Sequence, residues 1–158
     1  MAVEQNTNWC QSVGAVILKD GKILLARHTY GSGKNLLIIP GGYLHFGESP
    51  EEAVRREVLE ETGVVAEPTL LLSARFNEKD WYMVFLAEYV NGTPRSDGDE
   101  NSEVLWLPAE EALSREDVPD LTKKVVAAAL SGKTPLEHVP YKTKGGQFAS
   151  LYTLKQEV

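Results

Sequence analysis

The chain reads as an α/β domain in which a mixed β-sheet carries helices on both faces. Short β-type runs separated by turn residues, a strongly capped helix inserted among them, and a second helical pattern after the last core strand predict this arrangement.

Val13–Leu18 and Lys22–Ala26 are aliphatic runs joined by Asp20-Gly21, a pair that favours a tight hairpin. Leu36–Ile39 is a third apolar run, ended by Pro40-Gly41-Gly42. The capped helix comes next. Leu70–Ala74 and Trp81–Val90 read as strands with Asn77–Asp80 as their turn. Alternation puts Trp81, Met83 and Phe85 on one face of the second strand, with Tyr82, Val84 and Leu86 on the other. Val104–Leu107 is a further strand, Pro108–Leu113 begins a short helix, and Leu121–Leu130 is a longer one stopped by Ser131-Gly132. In the tail, 135–158, Lys142–Gly146 reads as a mobile linker and Phe148–Leu154 alternates as a strand. That tail has three candidate roles: closing over an active site, adding a strand to a partner, or packing on the core.

The inserted helix is expected at about Pro50 to Thr62. Ser49 is a good N-cap, Glu52 completes a capping box, and Pro50 occupies a position where its missing N–H is not needed. Gly63 stops the helix by taking a left-handed conformation cheaply. Val54, Val58 and Thr62 should face the core, with Leu59 at the edge of that face. Glu52 and Arg56 stand four apart in the favourable order.

At roughly 100° per residue, Glu57, Glu60 and Glu61 fall within one arc of about 100°. A Glu-rich helix is usually just a solvated face. Two forces oppose that reading here. Like charges three and four apart repel by a few tenths of a kcal/mol per pair. Carboxylates in the last turn also meet the negative end of the helix dipole, at about 0.3–1 kcal/mol each. Both penalties reverse if a hard cation binds, and Mg²⁺ or Mn²⁺ suits an oxygen-rich site completed by water and phosphates.

Composition narrows the function classes. With 158 residues and 42% hydrophobic content, the chain fits one domain over 1–158, its core at about 10–130. The single Cys10 excludes an internal disulfide, and a buried, inert thiol in a reducing cytoplasm is expected. There is no apolar run of membrane-spanning length, and the N-terminus lacks the features of a signal peptide. No basic stripe suggests a nucleic-acid polymer as partner, and the net charge is −7.

Gly42, Glu48, Arg56-Glu57-Val58, Glu60-Glu61, Gly63 and Val64 stand at the spacing G-x5-E-x7-R-E-U-x-E-E-x-G-U, with U aliphatic. That stretch resembles the Nudix box at every specified position. The resemblance implies an α/β/α sandwich with a catalytic loop-helix-loop, and a metal-dependent enzyme that cleaves a diphosphate linkage in a small nucleotide derivative. It implies Glu57, Glu60 and Glu61 as metal ligands, the carbonyl of Gly41 as a further one, and Glu48 and Arg56 as supports that orient them. A later acidic residue, Glu100 or Glu103, should join as ligand or general base. Glu57 or Glu61 could also take the base's role, and Glu61 is the ligand whose loss should cost most. Homodimers are common among such proteins, so exchange of the tail between subunits is an expectation.

The alternative is a Nudix-like sensor that binds a nucleotide without turning it over, which a degenerate box would favour. An isomerase built on the same fold would need a cysteine in the site, and Cys10 precedes the first convincing strand. Arg27, His28 and Lys34 flank a loop, 30–33, that could contact phosphates. His45 reads as a spacer, and His138 has no ligand pattern beside it. Phe76, Trp81, Tyr82 and Phe85 are expected mainly in sheet packing. The residues that would name the substrate are not marked by any motif.

Overall fold

The structure is a computed structural model describing residues 9–78, 80–133 and 135–154, with Ser150 described by its backbone alone. Expectations about the first eight residues and the last four therefore fall outside it. Strands β1 (Cys10–Lys19) and β2 (Lys22–His28) flank the expected turn, in which Asp20 has φ 50° and Gly21 φ 73°. Two positive φ values in succession match the right-handed twist of paired strands. Short strands β3 (Leu37–Ile38) and β4 (Gly41–Tyr43) precede helix α1 (Pro50–Thr62). Strands β5 (Val65–Phe76), β6 (Asp80–Asn91) and β7 (Asn101–Pro108) follow, then α2 (Ala109–Ala112) and α3 (Asp120–Leu130). Strands β8 (Leu136–Lys142) and β9 (Phe148–Thr153) close the described chain.

The sheet order is β3-β2-β1-β6-β5-β8-β9, with β4 paired to β1 and β7 to β2. β1 and β6 run parallel, and the other pairings are antiparallel. Side-chain alternation divides the core. Val13, Ala15, Ile17 and Phe85 pack with Ala53, Val54 and Val58 of α1. Val16 and Val84 face the other way, toward Ala109 and Ala112 of α2 and Val125 and Val126 of α3. The result is an α/β/α sandwich, as the sequence predicts.

Helix α1 has the expected ends. Ser49 Oγ accepts from Glu52 N at 3.2 Å and Glu52 Oε2 accepts from Ser49 N at 2.8 Å. Gly63 has φ 72°. Val54, Val58 and Thr62 are buried, and Leu59 is exposed.

Several expectations need correction. The run Leu36–Ile39 does end at Pro40, as the short strand Leu37–Ile38 paired with β2, but Gly41–Tyr43 then forms a further strand paired with β1. A side chain at Gly41 would stand 2.1 Å from the Val13 carbonyl, so only glycine lets the chain press that closely. β5 extends N-terminally through Pro68, where register shifts absorb a residue that cannot donate to the ladder. Cys10 is exposed, because it begins β1 at the end of the sheet, and it lies within that strand and not before it.

The tail forms a hairpin on its own core. Lys142–Gly146 is part of a tight connection, in which Gly146 N donates to Thr143 O at 2.9 Å. β8, which the sequence reading did not anticipate, pairs with β5 at Leu70–Glu137 and Leu71–Leu136. Tyr152 stands edge-on to Phe85 at 5.5 Å and donates to Glu51 Oε1 at 2.6 Å.

Replacing Ser49 by Ala removes the cap at the start of α1. Stability should fall by about 1 kcal/mol, read as a lower urea midpoint with an unchanged slope.

Candidate active site

The last turns of α1 lie against β4, and glycine makes the approach possible. A Cβ at Gly42 would stand 2.5–2.8 Å from the carboxylate atoms of Glu57. Gly41 N donates to Glu61 Oε2 at 3.4 Å, a long bond. Glu57 and Glu61 are both buried, while Glu60 is exposed. Glu61, at 5% exposure, sits much deeper than a solvent-facing metal ligand.

Arg56 organises the cluster from one side. Its Nε and Nη2 grip both oxygens of Glu48, at 2.7 and 3.0 Å. Nη1 donates to Glu57 Oε1 at 2.8 Å and to Glu60 Oε2 at 3.2 Å, and Nη2 also reaches Tyr43 O at 3.0 Å. Hydrogen bonds from Arg56 pull the Glu48 carboxyl down to about 2. Such a bidentate pair is geometrically specific. The expected Glu52–Arg56 pair gives way, because Glu52 turns to the cap and Arg56 to these three carboxylates.

Loop 97–100 supplies the facing wall. Asp97 Oδ1 accepts from the backbone N of Asp99 and of Asn101, at 2.9 and 3.1 Å. Thr29 N holds Glu100 O at 3.0 Å. Asn101 Nδ2 donates to Glu61 O at 2.8 Å, which ties the start of β7 to the end of α1. The cleft so formed, of ≈ 430 Å³, is lined by Glu57, Glu60, Glu61, Asp97, Asp99 and Glu100 with Arg56 and His45 at its side. Burial, then Glu57, pushes the Glu61 carboxyl up to about 8. Glu100 is raised by burial first and then by Glu57, Asp97 and Asp99.

The structure thus brings Glu57, Glu60, Glu61, Arg56, Gly41 and Glu100 to one place. It does not bring Glu103, which accepts from Arg27 Nε at 2.9 Å and is absent from the cleft lining. Arg27 is consumed by Glu103 and by Asp117, at 3.1 Å, so it is no loose phosphate contact. Asp97, Asp99 and Asn101 were missed in the sequence, although the acidic run 97–100 marked the segment. As they stand, no three His, Cys, Asp or Glu side chains among the described residues converge enough to grip an ion. Yet the donor set fits Mg²⁺ or Mn²⁺: it is all oxygen, crowded with like charge, and holds a deeply buried carboxylate on one long hydrogen bond.

A second cavity, of ≈ 460 Å³, adjoins the cleft across Gly41 and Gly42. Its lining mixes Leu36, Ile38, Ile39 and Leu121 with Ser12, His28, Arg75 and Tyr82. Its size is that of a small-molecule site. Gly41 and Gly42 line it and also press against Glu61 and Glu57, so the mouth of this groove lies beside the carboxylates.

A sequence model of the NUDIX domain matches residues 9–129. The chain belongs to the Nudix family. Among curated relatives, the 8-oxo-dGDP phosphatase NUDT18 of Mus musculus is 33% identical over 67% of this chain and 34% of its own length. The ADP-ribose pyrophosphatase of Methanocaldococcus jannaschii is 43% identical over 39% of this chain and 36% of its own. The NAD-capped RNA hydrolase NudC of Vibrio atlanticus is 35% identical over 58% and 34%. The chain therefore spans about a third of the length of these curated relatives. The MutT NUDIX hydrolase of Burkholderia pseudomallei superposes with a TM-score of 0.67 at 26% identity, covering 75% of this chain and 96% of that one. A NUDIX hydrolase of Nitrosomonas europaea gives 0.70 at 26% identity, over 81% and 93%.

The raised Glu61 carboxyl makes this Nudix site pH-sensitive in a chelator. The folded protein holds its proton up to about 8, whereas the unfolded chain releases it near the ordinary glutamate value of 4.5. Between these values the folded state binds more protons, so this group's contribution to stability falls as pH rises. Urea unfolding from pH 5 to 8.5 should show that decline, and Glu61→Gln should flatten it.

Proposed function

We propose that the chain is a divalent-metal-dependent hydrolase that cleaves the diphosphate linkage of a nucleoside diphosphate derivative by attack of an activated water. The observation that carries this reading is the buried Glu61 carboxylate beside Glu57, at the end of an intact Nudix box and facing an acidic loop. The names of the relatives support it, since all three describe hydrolysis of nucleotide-containing molecules.

Glu57, Glu60, Glu61 and the Gly41 carbonyl would hold Mg²⁺ or Mn²⁺. When bound, the metal supplies positive charge to phosphoryl oxygens and lowers the pKa of a coordinated water. Arg56 fixes the orientation of Glu57 and Glu60 through its hydrogen bonds. Glu100 faces them from the opposing loop, and its raised proton affinity suits it to take a proton from the attacking water. Glu103 has no part in this, being spent on Arg27. With a net charge of −7, attraction of a diphosphate rests on local groups and bound cations, not on the protein's overall field. The described chain acts here as one catalytic unit in a cytoplasmic setting, on a small nucleotide.

Purified protein should be tested with Mg²⁺ and with Mn²⁺ against ADP-ribose, nucleoside triphosphates (oxidised ones included), nucleotide sugars, dinucleoside polyphosphates and an NAD-capped RNA. Products are identified by mass. One substrate cleaved far faster than the rest names the specificity. Tight nucleotide binding without turnover across the panel would establish a sensor instead.

Glu61→Gln should leave the fold intact, because glutamine matches the shape of the protonated acid, and should lower turnover by orders of magnitude. Circular dichroism and saturating-metal kinetics on the same preparation separate these effects. Mg²⁺ or Mn²⁺ should raise the melting temperature. The rise should be larger at pH 8 than at pH 5.5, where protons on Glu61 compete with the ion. A melting curve indifferent to metal at both values would remove the metal site.

A further inference from the structure

The groove beside the carboxylates has a floor set by strand register. Tyr43 of β4 pairs with Ser12 of β1, Ser12 with Tyr82 of β6, and Tyr82 with Arg75 of β5. These four residues form a row across the sheet, and all line the groove. Three strand spacings make the row about 14 Å long, comparable with a nucleotide. Two residues along the strands, Gly41 and Gly14 are also paired. A Cβ on Gly14 would lie 2.0 Å from the Tyr82 hydroxyl, so only glycine lets the tip of the phenol settle there.

At the far end of the row from β4 stands Arg75. Its Nη2 donates to Asp80 Oδ2 at 2.7 Å, its guanidinium carbon lies 5.3 Å from the Tyr82 ring centre, and Nε is a buried donor with no partner among the described residues. Asp80 is fixed from the other side by Ser12 Oγ, which donates to its two oxygens at 3.0 and 3.1 Å. Arg75 is therefore anchored; its Nε is closed off from solvent, and the donors left for a ligand are on its terminal nitrogens. The adjoining carboxylate balances its charge, which disfavours a second phosphate and favours a neutral group that accepts hydrogen bonds. A guanidinium accepts none, so the facing ligand edge must be an acceptor edge. Guanine and hypoxanthine offer O6 and N7 side by side, matching the planar fork, whereas adenine places an amino donor where O6 would be.

We propose that Arg75, held by Asp80, is a specificity-determining residue that reads the O6/N7 edge of a 6-oxopurine base lying in this groove while the diphosphate reaches the Glu57–Glu61 cleft. This rests on the nucleotide-hydrolase reading and deepens it.

The test is calorimetric binding of the α,β-methylene analogues of GDP, IDP and ADP to the full chain with Mg²⁺, in which turnover cannot intrude. The wild type should bind the GDP and IDP analogues alike, and each roughly 5- to 150-fold more tightly than the ADP analogue. Arg75→Met should bring all three to the ADP level without weakening ADP binding. Arg75→Lys, which keeps the charge beside Asp80 and loses the fork, should also lose the preference. A merely structural Arg75 would instead weaken all three equally. Equal wild-type affinities, or a preference that survives in Arg75→Met, would overturn the proposal. Turnover of a substrate from the panel alongside equal affinities would sink the base reading alone. A preference without any turnover would sink the hydrolase reading alone.

Discussion

Negative charge gathered at the carboxyl end of α1 is the constraint around which the rest of this structure is arranged. Helix geometry puts Glu57, Glu60 and Glu61 on one arc, at the end where the backbone dipole disfavours them. Loop 97–100 then adds Asp97, Asp99 and Glu100 on the facing side. Arg56 offsets part of this, spreading one guanidinium over Glu48, Glu57 and Glu60. Glu61 lies beyond its reach and is kept protonated instead, up to about 8. The fold thus holds an unfavourable arrangement in place and leaves it ready for a cation.

Holding it requires rigid surroundings. The capping box and Pro50 fix one end of α1, and the left-handed Gly63 fixes the other. Val54 and Val58 are fully buried on the sheet, worth roughly 1.5–3 kcal/mol each. Asn101 ties the Glu61 carbonyl to β7, so the opposing loop and the helix end are set relative to one another by a buried hydrogen bond. The paired strands β1 and β4 bring Gly41 and Gly42 against the carboxylates, where a side chain would collide with Glu57 or the Val13 carbonyl. Function concentrates where local preference is violated, and the compensation lies in the packing around it.

The same sheet separates chemistry from recognition. One face of β1 packs under α1, while the other carries Ser12 into a groove of mixed polarity. Gly41, Gly42 and Tyr43 of β4 line the groove, and Gly42 lies against Glu57 of the cleft. A substrate can therefore place charge on one side of a glycine strand and its neutral part on the other. The reaction can stay constant while the groove lining changes, which accords with relatives named for different nucleotides.

The sequence by itself determined the parts that rest on local rules. The Asp20-Gly21 turn, the limits of α1, its capping box and its buried stripe depend on contacts within a few residues, and periodicity reveals them. The box spacing likewise marked the carboxylates and their arginine. Tertiary structure decided what depends on distant partners. Glu100 and Glu103 are indistinguishable in sequence, yet the register of β2 with β7 pairs Glu103 with Arg27 and leaves Glu100 in the cleft. The depth of Glu61 is not legible in the helix pattern, because its burial depends on β4 and Asn101 arriving from elsewhere in the chain. β8 has too little alternation to announce itself and becomes a strand through its pairing with β9 and with the edge of β5. The Tyr43–Ser12–Tyr82–Arg75 row exists only across four strands, since cross-strand register is a property of pairing that no single segment encodes.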